Sequence, residues 1–190
     1  TIAYCRNYGD VNSDDGYAGG ITAENYGTIR SCTVGLDGAG ELEISSTHGS
    51  GDLGAIGAIC AVNHGTKLAS DDPTEQNPVP EKDGVDGVIE LVNLEQGIKL
   101  SGDAVYAGGI VGINRGIVGH DCSKLSKEDE ISAYTTEIEY MPELNLNAGW
   151  LTVGGIAGWN QNLIQYVKAI NFKFTGSTGD GFTNYRYLGG

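Results

Sequence analysis

The chain has 190 residues, enough for one domain with a sizeable buried core, and a formal net charge of −14 from 11 Lys and Arg against 25 Asp and Glu. With no basic cluster, this balance argues against nucleic acid and against an anionic membrane surface as partners. Glycine is heavily used (31 residues) while Met (1), Pro (4) and Phe (3) are scarce, a bias that suits short strands and tight turns rather than helices.

The first residues, TIAYC (1–5), match TIRSC (28–32), so the chain is expected to begin in the tail of a repeat and to be a piece of a longer protein. Residues 9–16, GDVNSDDG, place oxygen ligands at alternate positions (Asp10, Asn12, Asp14) in the manner of a calcium loop. Counted from Asp10, the glycine falls at the seventh position, where such a loop needs it at the sixth, and the twelfth residue is Ile21 rather than an acid. The stretch is expected to be an acidic turn, and no cofactor is implied.

One phrase then recurs four times: YAGGITAENYGTI (17–29), AIGAICAVNHGTK (55–67), YAGGIVGINRGIV (106–118) and TVGGIAGWNQNLI (152–164), with a fifth copy starting at Tyr187. Ile2 and Ile29 are 27 residues apart, whereas Asn25, Asn63, Asn114 and Asn160 follow at intervals of 38, 51 and 46, so later units carry insertions, near 68–87 and 120–142. The runs between phrases, such as ELEIS (41–45), VIELVNL (88–94) and ELNLN (143–147), alternate apolar and polar residues, the period of a strand. KLSKEDEISAY (124–134) offers at most a helical turn in an insertion. Repeats of this length, varying by insertion alone, predict an all-β parallel β-helix, a β-solenoid, with residues 1–190 as a single segment of four to five rungs. Right-handed coiling is expected over left-handed. Each rung would hold three strands of five to seven residues, with rungs about 4.8 Å apart.

Each repeated position has a physical reading. Ile21, Ile59, Ile110 and Ile156 form an inward aliphatic ladder. Asn25, Asn63, Asn114 and Asn160 form an amide ladder, each side chain bonding the layers above and below. Two residues on stand Gly27, Gly65, Gly116 and Asn162; the exchange of Gly for Asn predicts a left-handed backbone at all four. Cys5 and Cys32 share one Ile-x-x-Cys position, which Val167 occupies in a later copy. That exchange reads as an inward apolar site holding free thiols, although a Cys5–Cys32 bond stays open. Cys122 is displaced by one.

The phrase GGIVGxNxG, carried by Gly108, Gly109, Ile110, Val111, Gly112, Asn114 and Gly116, with Ile29 and Cys32 in the second unit, resembles the GLUG motif. The copy at 55–67 is degenerate, with Ala58 and Cys60 in place of glycine and an aliphatic residue. GLUG repeats occur in large secreted or wall-anchored bacterial proteins, including adhesin-like proteins and non-catalytic regions of immunoglobulin A-cleaving metallopeptidases. The resemblance implies an extracellular, cell-surface repeat module. It does not imply peptidase activity, because the sequence lacks the zinc-binding HExxH of those enzymes.

No nucleophile elbow or phosphate-binding loop is present, and His48, His64 and His120 are isolated in sequence. Around the ladder asparagines, one row reads Glu24, Val62, Ile113, Trp159 and the other Tyr26, His64, Arg115, Gln161; neither is a repeated acidic or basic array. The acidic insertion at 70–87 reads as a solvated excursion. The expected function is therefore non-catalytic: an adhesin-like contact with a host protein or glycan, or a stalk, with neighbouring repeats of the same chain as structural partners. The alternative is a β-helical segment of an enzyme acting on polysaccharide. Trp150, Trp159 and Tyr26 are the candidate binding residues, no catalytic residue is assigned, and no run approaches the ~20 apolar residues a membrane helix needs.

Overall fold

The computed structural model describes residues 1–14, 16–36, 40–47, 54–65, 86–120, 133–146 and 151–169, and the backbone of 173–176 and 186–189. The regular secondary structure among these residues is almost exclusively strand, in five successive levels. The first level holds β1 (Ile2–Ala3), β2 (Arg6–Asn7), β3 (Val11–Ser13), β4 (Tyr17–Gly19) and β5 (Thr22–Asn25). The second holds β6 (Thr28–Arg30), β7 (Thr33–Val34), β8 (Leu42–Ser46), β9 (Ala55–Gly57) and β10 (Cys60–Asn63). The third holds β11 (Val88–Glu90), β12 (Asn93–Leu94), β13 (Ile98–Gly102), β14 (Tyr106–Gly108) and β15 (Val111–Asn114). The fourth holds β16 (Ile117–Val118), β17 (Thr136–Ile138), β18 (Glu143–Leu146), β19 (Leu151–Gly154) and β20 (Ala157–Asn160). The last holds β21 (Leu163–Ile164), β22 (Val167–Ala169), β23 (Lys173–Gly176) and β24 (Arg186–Gly189).

Each strand pairs in parallel with the strand five places on, so the levels stack through sheets ordered β1-β6-β11-β16-β21, β3-β8-β13-β18-β23, β4-β9-β14-β19-β24 and β5-β10-β15-β20. The remaining sheet is broken where the insertion after residue 120 leaves the stack: β2-β7-β12 and β17-β22 are separate. A full level thus has five strands of two to five residues, not three of five to seven. Glycines and small polar residues interrupt the apolar runs too often for longer strands.

In-register pairing turns each inward position into a column. Ile44, Leu100 and Leu144 stand over one another, as do Ile29, Ile89 and Val118, all fully buried. Burying each such side chain contributes about 1.5–3 kcal/mol. In the isoleucine column Ile59 and Ile110 are fully buried while Ile21 and Ile156, one level further out, are half-buried. The cysteine position reads Cys5, Cys32, Val92, Thr136, Val167 through the stack; Val92 keeps the Ile-x-x spacing after Ile89, whereas the insertion after residue 120 displaces Thr136 from it.

The asparagine side chains form a continuous chain of hydrogen bonds. Asn25 Nδ2 donates to Asn63 Oδ1 (2.7 Å), Asn63 Nδ2 to Asn114 Oδ1 (2.9 Å) and Asn114 Nδ2 to Asn160 Oδ1 (2.8 Å). Three of the four amides also close their own corner: Asn25, Asn63 and Asn160 donate to the carbonyls of Gly27 (2.9 Å), Gly87 (3.0 Å) and Asn162 (2.9 Å).

Two expectations about these corners are corrected. In the second level the residue stacked between Gly27 and Gly116 is Gly87, not Gly65. The insertion leaves the stack after His64 and returns at Gly87, whose N–H bonds the His64 carbonyl at 2.7 Å. Nor is any of Gly27, Gly65, Gly116 or Asn162 left-handed. At Gly65 and Gly116 small size is required because levels approach backbone to backbone: a Cβ on Gly116 would run into the Gly87 carbonyl oxygen, and one on Gly65 into that of Arg115. Asn162 instead turns its amide to the Arg115 carbonyl (3.1 Å). The left-handed corner lies elsewhere, two residues past the inward aliphatic of the first sheet, at Tyr4 (φ 56°), Ser31 (51°), Leu91 (52°) and Tyr166 (52°). A non-glycine residue in that conformation costs roughly 1–2 kcal/mol, which the paired strands on either side offset. In the fourth level Gly119 (φ 95°) makes this bend one residue earlier, where the insertion departs.

Two outcomes follow for unfolding in urea. Asn63→Ala strips a partner from Asn25, Asn114 and Gly87 inside the stack and is expected to cost about 3 kcal/mol or more, whereas Asn160→Ala, at an exposed position, costs about 1 kcal/mol. Gly116→Ala should lower the melting temperature sharply. Gly27→Ala, whose Cβ would meet nothing closer than 3.9 Å, should change stability by no more than about 0.5 kcal/mol.

Candidate functional site

The ladder corner projects side chains from the two residues flanking each asparagine. In-register pairing of β5, β10, β15 and β20 stacks Glu24, Val62, Ile113 and Trp159 in one row. Across the ladder stand Tyr26, His64, Arg115 and Gln161. The second row holds two touching pairs. The Tyr26 and His64 rings stack with centroids 3.9 Å apart and planes 8° from parallel, and Arg115 Nε donates to Gln161 Oε1 at 3.2 Å. The rows join at Glu24, whose Oε2 accepts from the Tyr26 hydroxyl (2.9 Å) and lies 2.9 Å from His64 Nε2. Tyr26 is 40% exposed and presents its ring to solvent, while Arg115 is buried.

Beside this corner lies a second apolar cluster, separate from the main core. Ala55, Ala61, Val62, Val105, Tyr106 and Ile113 are buried in it, with Tyr17 and Trp159 packed at its margin. Trp159 stacks on Tyr106, with centroids 5.2 Å apart and planes at 25°, and stays half-buried. Glycine makes this packing possible: a Cβ on Gly158 would meet the Ala107 nitrogen at 2.6 Å and the Gly112 carbonyl oxygen at 2.7 Å. Trp159 and Tyr26 thus occupy the two sides of one ladder, whereas Trp150 lies outside the described residues.

Histidines that look isolated in sequence have the same surroundings in the fold. His64 sits between the Glu24 carboxylate and the Tyr26 ring. His120 is hydrogen-bonded to Glu90 Oε2 and stacked on Tyr134 at 4.1 Å, with Arg30 Nε 3.4 Å from the other Glu90 oxygen. His48 lies outside the described residues. Both pairings cross from one level to the next, so reading each row lengthwise misses them; the signal was the diagonal from Glu24 to His64.

The oxygens at Asp10, Asn12 and Asp14 do not converge. Asp10 Oδ1 accepts from Glu43 N (2.8 Å), Asn12 Oδ1 from Ser45 Oγ (2.5 Å) and Asp14 Oδ1 from Thr47 Oγ1 (3.5 Å), each tying the first level to the second. Among the described residues no group of three or more His, Cys, Asp or Glu could hold a metal ion. The acidic insertion at 70–87 falls almost wholly outside the described residues, as does Cys122.

Chemically, Glu24 and His64 form a carboxylate-held imidazole with no activated thiol at hand. The Cys60 thiol faces the core, bonding the Val62 carbonyl at 3.1 Å. Burial above all, and the Glu24 charge after it, push its pKa far up, so it stays neutral. What the corner offers is a surface of ring faces, a carboxylate and an imidazole. No family model matches the chain, and neither curated proteins nor solved structures give a significant match.

Thiol chemistry tests this arrangement. At pH 8 iodoacetamide should label exposed Cys5 rapidly and Cys60 only as fast as the fold opens. Because the folded pKa of Cys60 is raised, its stabilising contribution is complete below the unfolded value of about 8.5 and is lost as pH rises above it. Cys60→Ala should therefore flatten the alkaline fall in melting temperature.

Proposed function

We propose that the chain is a segment of a right-handed parallel β-helix of the GLUG type, serving as a non-catalytic repeat module of a bacterial cell-surface protein. Its lateral face at the asparagine corner contacts a glycan of a host surface. The observation that carries this reading is the pair of ring faces at the amide ladder: Tyr26 in the first level, with Glu24 and His64 beside it, and Trp159 across the ladder in the fourth level, stacked on Tyr106. Aromatic rings stack on the apolar faces of sugars while carboxylates and imidazoles bond their hydroxyls, and a preorganised surface spares the ordering cost of binding. The parallel stacking of every level and the unbroken repeat of its corner support the β-helix. Its handedness follows the right-handed rule for parallel crossovers.

A glycan array probed with the labelled chain is expected to give a reproducible subset of binders. Tyr26→Ala and Trp159→Ala should each weaken that binding tenfold or more, about 1.4 kcal/mol, with unchanged circular dichroism. Silence across glycans and host matrix proteins would leave the spacer role. Release of new reducing ends from a bound polysaccharide, abolished by Glu24→Gln, would replace the binding module with an enzyme.

A further inference from the structure

Cys5 and Cys32 lie opposite one another in adjacent levels. The pairs Ile2–Ile29 and Ala3–Arg30 on one side and Arg6–Thr33 and Asn7–Val34 on the other are in register, which places Cys5 directly against Cys32. The intervening Tyr4 and Ser31 share the same left-handed bend, so both side chains leave the backbone in the same direction. Thr33 N bonds the Cys5 carbonyl at 2.9 Å and Tyr4 N the Arg30 carbonyl at 3.2 Å, which fixes the two backbones at this corner. The thiols follow the same geometry. Cys5 Sγ donates to the Ala3 carbonyl at 3.4 Å, and Cys32 Sγ to the Arg30 carbonyl at 3.4 Å, while also reaching across to the Ile2 carbonyl of the first level at 3.8 Å. Parallel neighbours lie about 4.8 Å apart, inside the span of roughly 4.4–6.8 Å that disulfide-bonded Cα atoms occupy.

We propose that Cys5 and Cys32 are an oxidisable pair whose disulfide clips the first level to the second. The pair is asymmetric in a way that orders the chemistry. Cys5 is exposed and open to a small oxidant, whereas Cys32 is buried behind it and burial raises its pKa. The Cys5 thiolate attacks a sulfur of a low-molecular-weight disulfide, forming a mixed disulfide and expelling one thiolate. Cys32 loses its proton to solvent and attacks the Cys5 sulfur, forming the Cys5–Cys32 bond and expelling the second thiolate. Two protein thiols are oxidised and one small disulfide is reduced to two thiols, so atoms and electrons balance. The same position in the other described levels carries Val92, Thr136 and Val167, so the clip is confined to this one junction. The bond joins residues 27 positions apart in the chain, 5 and 32, and ties one level to the next.

The test uses the full chain in Cys60→Ala, Cys122→Ser background, treated with oxidised glutathione under native conditions and mapped by peptide mass spectrometry. The expected product is a peptide pair joined through Cys5 and Cys32, with a melting temperature several degrees above that of the reduced chain and reversal on adding a reductant. Cys32→Val, which copies the residue of neighbouring levels, should stop at a stable glutathione adduct on Cys5, and Cys5→Ser should leave Cys32 unmodified. A native chain that holds the adduct on Cys5 with Cys32 still free, or that forms the cross-link only in urea, would overturn the proposal.

Discussion

Everything in this protein depends on the levels staying in strict register, and the asparagine ladder is what imposes it. A hydrophobic column tolerates a slip, because one isoleucine packs on another at several offsets. A chain of amide hydrogen bonds of 2.7–2.9 Å does not, since a slip would leave each buried donor and acceptor unpaired at about 1–3 kcal/mol apiece. Asn25, Asn63 and Asn160 also bond the carbonyl that closes their own corner, so the same group that aligns neighbouring levels shapes the corner within its own. Inter-level register and corner geometry are one interaction.

The insertions are tolerated because they respect that interaction. The longest described departure leaves after His64 and returns at Gly87, and the two ends are closed by the Gly87 N–H to His64 carbonyl bond. Asn63 then bonds Gly87 just as Asn25 bonds Gly27. Loop-closure entropy grows slowly with length, so a long excursion anchored at such a point costs little more than a short one. Surface ion pairs across levels, Glu43 with Lys99 (3.8 Å) and Glu137 with Lys168 (2.5 Å), are exposed and contribute little by comparison.

The candidate binding face is a by-product of the same register. Stacking at fixed spacing brings Tyr26 over His64 and Trp159 over Tyr106 without any loop having to fold around them. A surface built from a rigid repeat carries its side chains preorganised, and differences between copies decide its chemistry. Val62 and Ile113 make the middle of one row apolar, while Glu24 and Trp159 give its ends a carboxylate and a ring.

The recurrence of Gly-Gly-Ile and of asparagine, with alternation between, is legible in the sequence because every copy meets the same local constraint. That recurrence suffices for strand content, for the positions of the amide and isoleucine rows, and for Gly27 and Gly116 being small. Residues near in sequence set those features. The reason for the small residues was not legible: a glycine chosen for φ and one chosen because another backbone passes against it look alike, and Gly116 is the second kind. Nor could the sequence show that Gly87 replaces Gly65 in the stack, that Thr136 joins the cysteine column, or that Glu24 meets His64. Insertions of unequal length hide these correspondences, and only the pairing of strands from different levels brings residues tens of positions apart into contact.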